Sequence, residues 1–242
     1  MSDLQNHPGA AGSTRWFSPV EWARGISARL AEQHRSYGLW RTLHAATFRR
    51  LERLGFHLFL VELGDDRPDI ERPQLPEGYT TRPVDLEELR NWVGVIEGIT
   101  EPFLKGAMAR GDRCVGNFHQ DELVGHGFVT RERAPVTDQL EVVVDDWLLY
   151  RYKGWTHPDH RRRHLSHARG RMNRHLFPMR EGMRTVDYVA VHNLPSKLKH
   201  ADLHPVRLGY CGYVRILGAE YPFTGRVPRR FGFRLQRRES TP

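Results

Sequence analysis

The succession of strand-like and helix-like runs in this chain predicts a mixed α/β fold: a mostly antiparallel, splayed sheet flanked by helices, with an N-terminal helical extension. Three observations carry that prediction. Residues 114–119 and 123–130 alternate apolar and polar side chains around Gln120-Asp-Glu122, the pattern of an antiparallel hairpin. Residues 147–156 form a strand-like run that leads through a Pro-Asp turn and three arginines into helical spacing at 165–177. Further strand-like runs at 184–191 and 210–217 follow that helix.

Each element has a local cause. Residues 1–14 are small, polar and glycine-rich, and read as a tail outside any core. Ser18-Pro-Val-Glu21 has the form of a capping box with proline at the first helical position, opening a helix through Trp22, Ile26 and Leu30. Leu39, Leu43, Leu51 and Leu54 space a second helix that Gly55 terminates. Arg24, Arg29, Arg35, Arg41, Arg49, Arg50 and Arg53 occupy the other sides. Two readings suit this basic amphipathic region. It covers the main core with its apolar stripe, or it docks peripherally on an anionic membrane surface through residues 15–54, with Trp16, Phe17, Trp22 and Trp40 among the headgroups.

Residues 56–63 read as an apolar strand and 64–76 as a charged, proline-rich linker. Extension and linker therefore occupy 15–74, and the main domain 75–242. Within it, 79–84 is a short strand, Asp85 caps a helix through Leu89 and Trp92 to Ile96, and a shorter helix covers 102–109.

Arginine dominates the basic residues, and 37 Lys+Arg against 29 Asp+Glu give a formal charge of +8. The partners should be anionic, because guanidinium forks grip phosphates and carboxylates in pairs of hydrogen bonds. Nucleic acid fits less well than a phosphorylated cofactor, since the basic residues are dispersed and match no helix-turn-helix or RNP-like pattern. Two cysteines, Cys114 and Cys211, supply neither a disulfide framework nor a CxxC zinc motif. With no long apolar run and no signal-peptide pattern at the start, a cytoplasmic setting is expected.

The most informative stretch is Thr156-His-Pro-Asp-His-Arg-Arg-Arg-His-Leu-Ser166. A strand that turns directly into a helix presents unpartnered N–H groups and the positive end of the helix dipole together, which suits a phosphate. His157, His160, His164 and His167 would share one face of a continuous helix, but Pro158 interrupts it and no further ligand is evident, so no metal is expected.

That stretch resembles the strand-to-helix signature of the GNAT superfamily of N-acetyltransferases, Arg/Gln-x-x-Gly-x-Gly/Ala, with Arg161 at the arginine position and His164 and Ser166 at the two small ones. Val189-Ala-Val-His-Asn-Leu-Pro-Ser196 is similar to the strand ending in Asn-x-x-Ser/Ala in that family, and Arg207-Leu-Gly-Tyr210 to its closing Leu-Gly-Phe. The likeness covers residues 75–223. It implies an acyltransferase that moves an acetyl or longer acyl group from acetyl-CoA or another acyl-CoA to an amine by direct attack. Thr156, Arg161, Arg162, Arg163, His164, Leu165, Ser166, Asn193 and Ser196 would then bind the cofactor. Some relatives that make N-acyl amino acids take the acyl group from an acidic acyl carrier protein, a donor that this basic chain would also suit. A module that kept the fold without the chemistry, and binds lipid or nucleic acid, is the remaining alternative.

The resemblance also implies an acid and a base. The family often uses Glu or Asp on the strand before the signature, where this chain offers Asp146. It often uses Tyr after Asn-x-x-Ser; Pro205 stands there, leaving His204 or Tyr213 as substitutes. The acceptor would be a small-molecule amine such as an amino acid or amino sugar, or a protein lysine.

Overall fold

A computed structural model describes residues 37–64, 74–96, 98–177, 182–194, 196–197 and 205–238. An eight-stranded sheet runs in the spatial order β10 (Ala219–Thr224), β9 (Val206–Ile216), β1 (Phe56–Leu63), β8 (Arg184–Ala190), β7 (Leu148–Thr156), β4 (Glu122–Thr130), β3 (Arg113–His119) and β2 (Tyr79–Val84). Every neighbouring pair is antiparallel except β7 and β8. A smaller sheet has the order β11 (Phe233–Arg237), β6 (Leu140–Val144) and β5 (Arg133–Pro135).

The helices are α1 (Leu39–Arg53), α2 (Glu101–Ala109), α3 (Leu165–Leu176) and the short α4 (Arg226–Arg230). The chain forms two units, 1–44 and 45–242, and the eleven strands among the described residues all lie in the second.

Alternation along the strands explains the main core. Val61, Leu63, Cys114, Phe128, Leu148, Tyr150 and Val186 belong to one buried cluster with Leu104 and Ala107 of α2 and with Leu140, Val142, Phe233 and Leu235 of the second sheet. Fully burying one such aliphatic or aromatic side chain contributes roughly 1.5–3 kcal/mol. Helix α2 starts where it does because Thr100 accepts the N–H of Phe103 at 3.3 Å and proline fills an early position that needs no donor. Elsewhere Leu165 of α3 packs with Tyr79 and Val124, which seats the start of that helix on β2 and β4.

The expected fold class is present, with three corrections. Phe56–Leu63, grouped above with the extension in 15–74, is a central strand that pairs with both β8 and β9. The domain boundary at residue 75 therefore does not separate two bodies. The helix expected over 85–96 is only a 3₁₀ turn, Glu88–Trp92. Gly94 at φ +78° breaks it, and Asp85 caps a tight turn by accepting the Glu87 N–H at 2.9 Å. The small sheet was not expected at all. The tail reading of residues 1–14 and the capping-box helix from Ser18 lie outside the described residues.

Candidate functional site

Strands β7 and β8 pair in parallel only from Leu148 opposite Arg184 to Tyr150 opposite Val186. Beyond that rung the two strands part, leaving residues 151–156 and 187–190 unpaired along their facing edges. The sequence cause lies in β7. Tyr152 sits opposite Phe128 and Trp155 opposite His126, so Lys153 and Gly154 together face Gly127, and Lys153 adopts a left-handed φ of +50°. Such a bulge bends its strand and increases the local twist. At the first unpaired position the Arg151 guanidinium reaches the Asp187 carboxylate, a side-chain link where the main-chain ladder stops. Main-chain groups on both facing edges are left for an extended ligand to pair with.

The phosphate-like corner lies at the open end of this gap. A 3₁₀ turn, Pro158–His160, leads into α3, and Arg161 N–H closes that turn on Pro158 C=O at 3.3 Å. His167 and Ala168 donate to the His164 carbonyl at 2.9 and 3.2 Å. The N–H groups of Arg162 to Ser166 have no main-chain acceptor among the described residues. Leu165, 2% exposed, anchors the corner.

The three arginines differ in setting. Arg161 is tied back to β7 by a 3.3 Å bond from Nε to Thr156 C=O, and Arg163 lies 5.4 Å over the Tyr79 ring. Arg162 has φ +64°, and all three side chains are exposed. His164 takes φ +57°, the left-handed conformation that glycine supplies in the signature it resembles. Its imidazole is exposed, with its ring centroid 5.5 Å from that of His167. The loop thus takes a left-handed turn at a non-glycine residue, at the cost of strain. Replacing His164 with glycine should relieve about 1 kcal/mol and raise the melting temperature by about 2–4 °C, measured by calorimetry.

Beneath this corner lies a residue that sequence reading passed over. Arg169 is 7% exposed, donates from Nη2 to Thr156 Oγ1 at 3.1 Å, and also bonds Asn117 Oδ1. Gly125 makes its room: a Cβ there would stand 2.6 Å from Nη1. No carboxylate pairs with Arg169 among the described residues, and burial pulls its pKa down to about 10.

The remaining expected residues are distributed unevenly. Asn193 Oδ1 accepts the Ser196 N–H at 3.3 Å, so Asn193 caps the turn after β8, and both residues stand at the open end. His204 lies outside the described residues. Asp146 is not brought to the gap. It occupies the turn before β7, whose nine residues put Thr156 roughly 30 Å away at about 3.3 Å per residue. Simple alternation would put Asp146, Tyr150, Tyr152 and Thr156 on one face, but the bulge breaks that parity after Tyr152. Tyr150, Tyr152 and Trp155 join the main core cluster, whereas Thr156 turns its hydroxyl to Arg169.

Tyr213 does reach this end of the sheet. It pairs in register with His57 and stacks on it, the rings 4.2 Å apart and inclined by 14°. Burial, and then Glu220, raise its pKa, so the phenol keeps its proton at neutral pH. Beside it is a cluster not anticipated from sequence: Glu52 Oε1 is 3.4 Å from His57 Nδ1, and Oε2 is 3.4 Å from His192 Nε2. The histidines of the 157–167 segment do not form one row. His160 instead bonds the Tyr79 hydroxyl at 2.7 Å, and its ring lies 5.3 Å from that of His119.

No protein-family profile matches the sequence, and no curated protein does. Similar solved structures include a GCN5-related N-acetyltransferase from Kribbella flavida, with 16% identity, 81% of this chain and 75% of that one covered, and a TM-score of 0.41. A tandem GNAT protein from the clavulanic acid biosynthesis pathway has 17% identity, 66% and 55% covered, and a TM-score of 0.44. A Drosophila protein has 15% identity, 66% and 52% covered, and a TM-score of 0.45; this chain spans about half of its length.

Proposed function

We propose that the chain is an N-acyltransferase that carries an acyl group from a coenzyme A thioester to an amine by direct attack. One observation carries the reading: β7 and β8 part above Tyr150, and the open end of their gap meets the unpartnered N–H groups of residues 162–166. An extended pantetheine arm pairs with free strand edges as an added strand would. The diphosphate at its end is an anion of the kind a helix start receives, and Arg161 and Arg163 stand beside it to add charge-assisted bonds. Holding thioester and amine in one geometry supplies most of the acceleration, because direct transfer needs no covalent enzyme intermediate. Cys114 and Cys211 fit that chemistry, since burial pushes both thiols up, Cys114 to about 12, away from nucleophilic use.

Titration calorimetry and thermal unfolding with acetyl-CoA test the proposal. At a hundredfold excess over Kd, a ligand that binds only the folded chain adds about 2.7 kcal/mol, which corresponds to a rise of roughly 5–11 °C. An unchanged melting temperature with acetyl-CoA, longer acyl-CoA and free coenzyme A alike would reject it.

A further inference from the structure

Arg169 is a buried cation that no carboxylate of the described residues faces, and it lies under the phosphate-like corner. Burying a charge without a partner is strongly unfavourable, so such a residue calls for a reason beyond packing. Its surroundings supply no anion. Asn117 and Thr156 bond it, Gly125 and Gly127 lie against it, and the nearby Cys114 thiol keeps its proton at neutral pH, since burial pushes it up to about 12. His126, the other titratable group within its field, is held neutral by burial. Position on α3 ties the residue to the corner. Arg169 stands four residues after Leu165, the spacing that puts two side chains on one helix face about 5–6 Å apart, and Leu165 anchors the loop whose N–H groups have no main-chain acceptor.

Thr156 carries the link outward. Its Oγ1 accepts from Arg169 Nη2 at 3.1 Å, and its carbonyl accepts from Arg161 Nε at 3.3 Å, so one residue joins the buried cation to the exposed loop. A hydroxyl that accepts from a guanidinium still has its own hydrogen to donate. That hydrogen has no acceptor among the described residues.

We propose, on the acyltransferase reading above, that the diphosphate of the acyl-CoA is the counter-ion of Arg169, and that Arg169 is a positioning residue that holds Thr156 as a hydroxyl donor to that diphosphate. The exposed Arg161 and Arg163 act through charges that salt screens, whereas Arg169 supplies a fixed positive field from the seam between α3 and the sheet, where screening is weak. In the free protein only the dipoles of Asn117 and Thr156 offset this cation, so donor binding relieves an unfavourable burial as well as forming new contacts. Gly125 belongs to the same device, because a Cβ there would meet Nη1 at 2.6 Å and push the guanidinium out of its seat.

The test uses the full chain, calorimetric titration with acetyl-CoA, and two variants that keep Arg169. Asn117→Asp puts a permanent carboxylate against the guanidinium, and the Thr81 hydroxyl, which accepts from Asn117 Nδ2 at 2.7 Å, can turn to donate instead. This variant should raise the melting temperature of the free protein by about 2–4 °C and weaken acetyl-CoA binding by about tenfold or more, because the cation is then already paired. A purely structural Arg169 would give the same gain in melting temperature with affinity unchanged. Thr156→Val, nearly isosteric, removes the hydroxyl and should weaken binding by about 10–10²-fold. It also keeps the test open should Asn117→Asp not fold. Unchanged affinity in Asn117→Asp would overturn the counter-ion assignment, and unchanged affinity in Thr156→Val the role given to its hydroxyl. No binding of acetyl-CoA by the unmodified chain would instead defeat the acyltransferase reading on which both rest.

Discussion

Replacing Arg161 and Arg163 together with alanine should weaken acetyl-CoA binding by about 10²–10⁴-fold. Both residues belong to the exposed loop that carries the unpartnered N–H groups of 162–166, and a hydrogen bond from a charged donor to phosphate contributes about 1.5–3 kcal/mol. Two such contacts sum to about 3–6 kcal/mol, and every 1.4 kcal/mol is roughly a factor of ten in affinity. Arg161 adds a second effect, since its bond to Thr156 C=O holds the loop against the end of β7. Alanine at Arg229 and Arg230 of α4 removes the same charge from another surface and should leave affinity unchanged. Calorimetric titration of both double variants separates a specific cradle from net charge.

Acidification should destabilise this protein steeply, and His126 should account for much of the slope. The ring is fully buried, stacked on Trp155 at 5.7 Å, and neither nitrogen has a hydrogen-bond partner among the described residues. Burial foremost, then the charges of Arg169 and Lys153, push its pKa down to about 3. In the unfolded chain a histidine takes its proton near 6.5, whereas the folded chain resists until about 3, so the unfolded state binds more protons throughout that window. Stability is therefore complete above about pH 6.5 and falls as pH drops towards 3. At about pH 4 the loss from this one residue is on the order of 3 kcal/mol, or about 6–12 °C in melting temperature. His126→Leu should flatten the curve by that amount, leaving the smaller slopes of His160 and His192, whose pKa values are lowered also. Parallel curves of melting temperature against pH would contradict this account.

What could be read from sequence was local. The hairpin of β3 and β4 announces itself by alternation around Gln120-Asp, and both turn residues take left-handed φ values of 49° and 67°. The junction at 156–166 was legible because a Pro-Asp turn, clustered arginine and helical spacing fall within a few residues. The bulge was not: a lysine at φ +50° has no sequence signature, yet that residue redirects β7 and puts Thr156 on the face opposite that of Tyr150 and Tyr152. Strand β1 was read correctly as a strand but placed in the extension, because the charged linker after it suggested a boundary. Its pairing with β8 and β9 is a long-range choice that periodicity does not encode.

The side-chain clusters were hidden for the same reason. His57 in an apolar strand and His192 beside Asn193 are unremarkable separately, and only the pairing of β1 with β8 brings His192 to the Glu52–His57 end of the α1–β1 turn. In sequence Arg169 is one of several cations along the helix, with nothing to mark it as buried. Two glycines of β4, Gly125 and Gly127, lie against its guanidinium and let it sink to the sheet.

The most direct measurement is a crystal structure of this chain with coenzyme A. The account predicts the diphosphate on the N–H groups of residues 162–166 and the pantetheine arm between β7 and β8 above Tyr150. Coenzyme A bound elsewhere, or that corner empty while the ligand is saturating, would contradict it.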